Sequence, residues 1–302
     1  MSRAAKAVTY TLNGTTSDDV IALVGGQLTL NGTGHSIPAG ATHVTLNGGD
    51  GNDTIVTDSP FGAASQPVSY DGGAGTDTLD LSHVDEAVWV RLVNNAKAHG
   101  ATASYVTVPS MATEFTVDYL NVNGGDANDP NAVVSSASDL HTNIANFESV
   151  VGTAYNDYLE LGNVAGTADG GDGNDRVIGG AQGDHLLGGA GDDFLFGKAG
   201  NDVMTGGTGA DQFELVSGTG DEVITDFNAS DGDSLFIGWQ SSTDVLPDAS
   251  SWHTTTWTDS SGSSHQAITA TLTAGSVTLV DLTLADVSTV VAHTTEFHFL
   301  NG

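Results

Sequence analysis

The sequence predicts an all-β chain in which short strands stack in parallel, turn upon turn, as a β-solenoid. Three observations carry this. Over residues 170–214 a nine-residue unit recurs five times without a break: GGDGNDRVI, GGAQGDHLL, GGAGDDFLF, GKAGNDVMT, GGTGADQFE. Every unit places Asp sixth and an apolar residue eighth, so a turn, a carboxylate and an inward-facing side chain return together. Finally, the 302 residues include 40 Gly, and 38 Asp and Glu against 6 Lys and Arg.

Within the unit, glycines at the first, second and fourth places allow positive φ and let backbone carbonyls turn toward one point. The sixth-place Asp175, Asp184, Asp193, Asp202 and Asp211 send a hard anionic oxygen to that same point. The eighth-place Val177, Leu186, Leu195, Met204 and Phe213 mark a short strand after each turn, side chain inward. One turn alone buries almost nothing, whereas stacked turns bury a continuous column. Hard oxygens on a flexible backbone select Ca²⁺ over transition metals, and suit its about six to eight ligands better than Mg²⁺. The candidate calcium-binding set therefore includes those five aspartates, the extra acids Asp172 and Asp192, and the turn glycines Gly171, Gly173, Gly180, Gly189, Gly191, Gly200, Gly207 and Gly209.

These residues resemble the RTX calcium-binding family, whose nonapeptide reads G-G-x-G-x-D-x-U-x with U apolar. The resemblance implies a parallel β-roll in which two nonapeptides make one coil and each ion sits between a turn and the turn two repeats away. Under that geometry Asp175, Asp193 and Asp211 line one edge, and Asp184 and Asp202 the other. The family pattern is broken twice. Gln182 replaces the fourth-place Gly, and Lys198 the second-place Gly, which brings a cation to the site between the second and fourth repeats.

Residues 1–82 read as an N-terminal degenerate roll. Residues 48–56, around Asp53, and 72–80, around Asp77, match the unit well; residues 13–21, read around Asp18, match poorly, with Thr16 at the fourth place. Asp53 and Asp77 stand 24 residues apart, so a loop containing Pro60 and Pro67 interrupts the period. Residues 83–150 form a strand-rich insertion in which VWVRLVNN, SYVTVPS and TEFTVDYLNVN carry the β-branched and aromatic residues of ordinary strands. Within it, GGDANDP at 124–130 is a near-match broken by Ala127 and Pro130, and reads equally as an exposed polar turn.

Residues 151–237 are the main calcium-binding roll. Asp157 precedes Asp175 by 18 residues, one full coil, with Tyr155 at its fourth place. After the clean repeats, SGTGDEVITDF offers Gly218, Gly220 and Glu222 in the motif's places after a two-residue slip. The resemblance makes Asp226, Asp231 and Asp233 terminal ligands, where the plain alternative is an acidic loop. Residues 238–302 are Ser/Thr-rich and form a C-terminal β cap. Their last stretch resembles the uncleaved signal by which RTX proteins leave the cell through type I secretion, although its alternation from Ser276 to Leu284 also reads as a terminal strand.

The formal charge of −32 opposes compaction and argues against nucleic acid as a partner. It fits a chain that is largely unfolded without metal and folds on Ca²⁺. There is no cysteine for disulfides, no apolar N-terminal segment of signal-peptide length and no span long enough for a membrane. Neither H-E-x-x-H nor G-x-S-x-G occurs, and the 10 histidines are scattered.

The expectation is a secreted, non-catalytic protein, extracellular or at the cell surface, that folds on several Ca²⁺ ions. Self-assembly into an S-layer-like, biofilm or adhesive component is part of that expectation. The alternatives are a polysaccharide-acting enzyme or its accessory module, of the alginate epimerase type, and a calcium-dependent carbohydrate-binding module built on Trp239, Trp252 and Trp257.

Overall fold

The computed structural model describes residues 8–58, 62–63, 66–85, 88–93, 102–107, 141–216, 220–239, 247–272 and 275–298. Within them the chain winds between two mainly parallel sheets of 13 strands each. In the first sheet Tyr158–Glu160, Arg176–Ile178, Phe194–Phe196, Gln212–Val216 and Ser234–Trp239 lie side by side. Opposite them, in the second, lie Ser149–Val151, Thr167–Asp172, His185–Ala190, Val203–Thr208 and Asp221–Ile224. Arg176 pairs with Phe194 and Thr167 with His185, so each coil consumes two nonapeptides. This is the β-roll that the resemblance to the RTX repeats implies.

The eighth-place residues thus divide into two facing columns. Leu159, Val177, Leu195, Phe213 and Leu235 point inward from the first sheet, and Ala168, Leu186, Met204 and Ile224 from the second, all fully buried. Parallel strands in register put like beside like, so one apolar choice per nine residues suffices for a continuous core.

Residues outside the clean repeats join the same two sheets by lengthening single coils. Val20–Val24, Thr54–Thr57 and Thr78–Asp80 stack in parallel, with coil lengths set by the pairs Val20 with Thr54 and Thr54 with Thr78. From the insertion, Val88–Val93, Thr102–Thr107 and His141–Ala145 run antiparallel to one another within the first sheet, between Gln66–Ala74 and Tyr158–Glu160. The TEFTVDYLNVN and GGDANDP segments lie outside the described residues.

Each end of the second sheet finishes in antiparallel strands. At the N-terminal end these are Gln27–Leu30 and Thr33–His35. At the C-terminal end they are Ser264–Thr271 and Trp252–Thr258, laid on Ser276–Val280, which is an ordinary strand paired with Asp221–Ile224. A short helix, Val287–Ala292, then leads to Thr294–His298 at the edge of the first sheet. No described helix is long and apolar enough to cross a membrane.

Candidate metal centre

At the turn that opens each strand, the sixth-place carboxylate is folded back under its own coil. Its Oδ1 accepts the backbone N–H of the equivalent residue one coil earlier. Along the first sheet the chain of such bonds runs Asp157 N–H to Asp175 (2.7 Å), Asp175 to Asp193 (2.7 Å), Asp193 to Asp211 (3.0 Å) and Asp211 to Asp233 (2.9 Å). The second sheet's edge has Asp184 N–H to Asp202 (2.8 Å) and Asp202 N–H to Glu222 (3.2 Å). Asp175, Asp193 and Asp211 therefore share one edge, and Asp184 and Asp202 the other.

The second oxygen decides what the turn can do. Oδ2 of Asp53, Asp77, Asp175, Asp193 and Asp202 is buried and takes no hydrogen bond. An unsatisfied anionic oxygen in the interior is costly unless a cation meets it. Beside it lies a space kept open by glycine. A Cβ on Gly170 would fall within 2.5 Å of both Asp175 Oδ2 and the Gly188 carbonyl oxygen, and one on Gly188 within 2.5 Å of Asp193 Oδ2 and the Gly206 carbonyl oxygen.

Two hard oxygens from successive coils, a carboxylate and a backbone carbonyl, thus converge beside the same glycine, and these are the oxygen ligands that Ca²⁺ takes. The donors are one carboxylate per turn plus backbone carbonyls. This is why, among the described residues, no group of three or more His, Asp or Glu side chains gathers as a metal cluster. The residues present fit calcium.

Burial also sets the electrostatics. It pushes Asp175 up to about 9, reinforced by Asp157 and Asp193, against the opposing hydrogen bond from Asp157 N–H. By the same cause Asp193 rises to about 7, and Asp77, Asp211, Asp157 and Asp184 to about 6. Asp202 and Glu222 are both raised, chiefly by burial. A run of carboxylates this reluctant to ionise is a store of affinity for cations.

Other expected residues take varied places. Gly171, Gly189 and Gly207 have φ of 104°, 113° and 103°, and Gly173, Gly191, Gly200 and Gly209 have φ of 121° to 137°; Gly180 is not left-handed. Asp172 is exposed. Asp192 is also exposed and accepts the Ala210 N–H (2.9 Å). Asp226 accepts the N–H groups of Gly206 and Gly207 (2.9 and 2.8 Å) at the start of the fifth repeat. Asp231 accepts from the Asn228 side chain (2.7 Å). Lys198 adopts φ 67° and sends its ammonium to Glu160 on the first sheet, and its charge also acts on Asp184, opposing the rise caused by burial there.

Three features escaped the sequence reading. The pairing of Val20 with Thr54 puts Asp19, not Asp18, in the sixth place, because Asp19 N–H donates to Asp53 Oδ1 (2.8 Å). Glu148 takes the carboxylate role one coil after Asp77, accepting the Asp77 N–H (2.9 Å) across 71 residues of chain.

The third is a fifth-place ladder on the outside of the turns. Asn52, Asn156, Asn174, Asp192 and Asn201 each accept a backbone N–H from an adjacent coil (2.8 to 3.0 Å). The repeated N-D and D-D pairs were its signal. In the cap, Trp252 is buried and cannot serve as a sugar platform, while Trp257 is partly exposed with its ring centroid 5.6 Å from that of His265. The Trp239 side chain lies outside those described.

The RTX calcium-binding nonapeptide repeat matches the chain in four copies, over residues 39–59, 169–204, 179–213 and 187–221. No curated protein matches it in sequence. Among solved structures it is similar to the crystal structure of the extracellular lipase LipA from Serratia marcescens, at 16% identity and a TM-score of 0.28, over 96% of this chain and 40% of that chain. The glycine-lined turns, the stacked aspartates and the matched repeats make one conclusion: this chain carries RTX calcium-binding nonapeptide repeats, wound as a β-roll.

Proposed function

We propose that the protein is a secreted, non-catalytic calcium-binding scaffold that folds outside the cell and assembles at the cell surface or in the extracellular matrix. The observation that supports this is the row of turn carboxylates, which runs from Asp19 to Asp233 and takes in both sheets. Calcium bound in the turns supplies positive charge between successive carboxylates. The chain's own part is to hold Oδ2 and the facing carbonyl beside the same glycine, and to keep water out with the apolar columns behind them. RTX repeats are typical of type I secreted proteins, and extracellular Ca²⁺ then serves as the folding signal.

Calcium titration followed by far-UV circular dichroism and light scattering tests both parts of the proposal. The expected result is a gain of β signal at millimolar Ca²⁺, followed by growth in particle mass. An unchanged spectrum would remove the folding role, and a monomer at high concentration the assembly role. Turnover on an alginate or pectin panel would replace the non-catalytic reading with an enzymatic one.

A further inference from the structure

Two kinds of turn occur along the carboxylate rows. In the open kind, at Asp53, Asp77, Asp175, Asp193 and Asp202, Oδ2 is buried without a hydrogen bond. In the closed kind, at Asp19, Asp157 and Asp184, Oδ2 accepts the N–H of the second residue of its own turn. Those donors are Thr15 (2.5 Å), Thr153 (2.5 Å) and Gly180 (2.6 Å). A closed carboxylate is satisfied on its other oxygen too: Asp184 Oδ1 accepts from Gly166 (3.0 Å), and Asp157 Oδ1 from Val88 (2.7 Å).

The fourth residue of the turn separates the two kinds. Open turns have Gly51, Gly75, Gly173, Gly191 and Gly200 there, with φ between 121° and 154°. That backbone region is essentially reserved for glycine. Closed turns have Ser17, Tyr155 and Gln182 at the same place, none at positive φ. The identity of the second residue does not separate them, since Gly180 belongs to a closed turn and Lys198 to an open one; its φ follows the fourth residue, positive at Gly49, Gly73, Gly171, Gly189 and Lys198 and not positive at Thr15, Thr153 and Gly180. Without the glycine-only conformation at the fourth place, the second residue's N–H is left aimed at Oδ2 and takes the place that a cation would fill. Asp211, with Gly209 at φ 133°, sorts with the open turns.

We propose that the fourth residue of each turn decides whether that turn takes a Ca²⁺ ion. Asp53, Asp77, Asp175, Asp193, Asp202 and Asp211 are the metal-binding carboxylates, and Asp19, Asp157 and Asp184 hold self-closed turns that need no metal. The roll is then a mixed stack, with metal-free turns on either side of metal-dependent ones, and Gln182 rather than Lys198 is the departure that costs an ion. This rests on the calcium reading above.

The test counts bound Ca²⁺ per chain by native mass spectrometry for the wild type, Asp184→Asn, Asp193→Asn and Gln182→Gly, with folding checked by circular dichroism in calcium. Asp184→Asn is expected to keep the wild-type count, Asp193→Asn to lose one ion and Gln182→Gly to gain one. Hydrogen exchange at the Gly180 amide gives a second readout, with protection in the wild type lost in Gln182→Gly as the N–H leaves Oδ2. Loss of an ion in Asp184→Asn, or an unchanged count in Gln182→Gly, would overturn the proposal. If Asp193→Asn does not fold, the other two variants still decide it. A wild type that binds no calcium would instead remove the calcium reading itself.

Discussion

Calcium-free protein is expected to lose stability as pH rises from 5 to 8, the reverse of what paired carboxylates give. Asp175 is pushed from 3.8 up to about 9, and Asp193 from 3.8 to about 7. A folded-state value above the unfolded one means that the folded chain binds more protons across the interval between them. Both forms are protonated below 3.8, so nothing is lost there. The loss grows as pH climbs from that point and is complete only above the folded value.

At pH 7 each of these two carboxylates has lost about 3 units' worth, or ~4 kcal/mol at about 1.4 kcal/mol per unit. Two such groups together approach the whole stability of an ordinary domain, about 5–15 kcal/mol. Chelator-treated protein should therefore hold more β signal and melt higher at pH 5 than at pH 8, with millimolar Ca²⁺ restoring both at pH 8. Far-UV circular dichroism with thermal melts at fixed ionic strength reads this directly. Calcium-free protein whose melting temperature is flat or rises from pH 5 to 8 would refute the assignment of unsatisfied carboxylates to the turns.

Two substitutions, with a third as a control at an open glycine, test the stacking itself in calcium. Gly189→Ala places a Cβ against the Gly171 carbonyl oxygen at a φ of 113°, and should cost at least about 3 kcal/mol in a urea titration. Gly26→Ala, at φ 73° with open space around it, should cost only about 1–2 kcal/mol. Leu195→Ala empties a fully buried position between Val177 and Phe213 and should cost about 2–5 kcal/mol, with a loss near zero indicating that the columns are not in register.

Much of the roll was legible because its period is strict over residues 170–214. From Gly170 onward each coil has two turns and two inward residues, so counting by nine places Leu186 and Met204 opposite Val177, Leu195 and Phe213. Asp157 was reachable by the same count. The N-terminal half was harder, since its coils close after 34, 24 and 71 residues between Asp19, Asp53, Asp77 and Glu148. A loop that returns to the same edge can be of almost any length at small entropic cost, so the period vanishes while the stacking persists. The Asp18 frame failed for this reason, and Glu148 was invisible because nothing before it repeats. The acceptor role of the fifth-place Asn and Asp appears only when a second coil lies beside them. Open and closed turns are a matter of φ, which the sequence shows only through the absence of glycine at Ser17, Tyr155 and Gln182.

The register that aligns the apolar columns also aligns the carboxylates, and this couples folding to calcium. Adjacent parallel strands lie about 4.8 Å apart, so like charges at one place in successive coils repel by ~3 kcal/mol per neighbour at an effective dielectric of about 20. The chain has few cations of its own to offset this, and two of its 6 are spent on the outward side of the first sheet. Arg176 lies 4.0 Å over the Phe194 ring, and Lys198 pairs with Glu160. Of the two, only Lys198 acts on a row carboxylate, Asp184, where its charge opposes the rise caused by burial. Shifting the register to separate the carboxylates would expose Val177, Leu195 and Phe213 to the wrong face, so the core fixes the repulsion in place. Only charge from solution can remove it. Where the turn admits an ion, the ion also joins one coil to the next, so each binding event should raise the affinity of the adjacent open turn. The uninterrupted first-sheet run of Asp175, Asp193 and Asp211 is then the stretch that fills cooperatively, bounded on one side by the closed turn at Asp157.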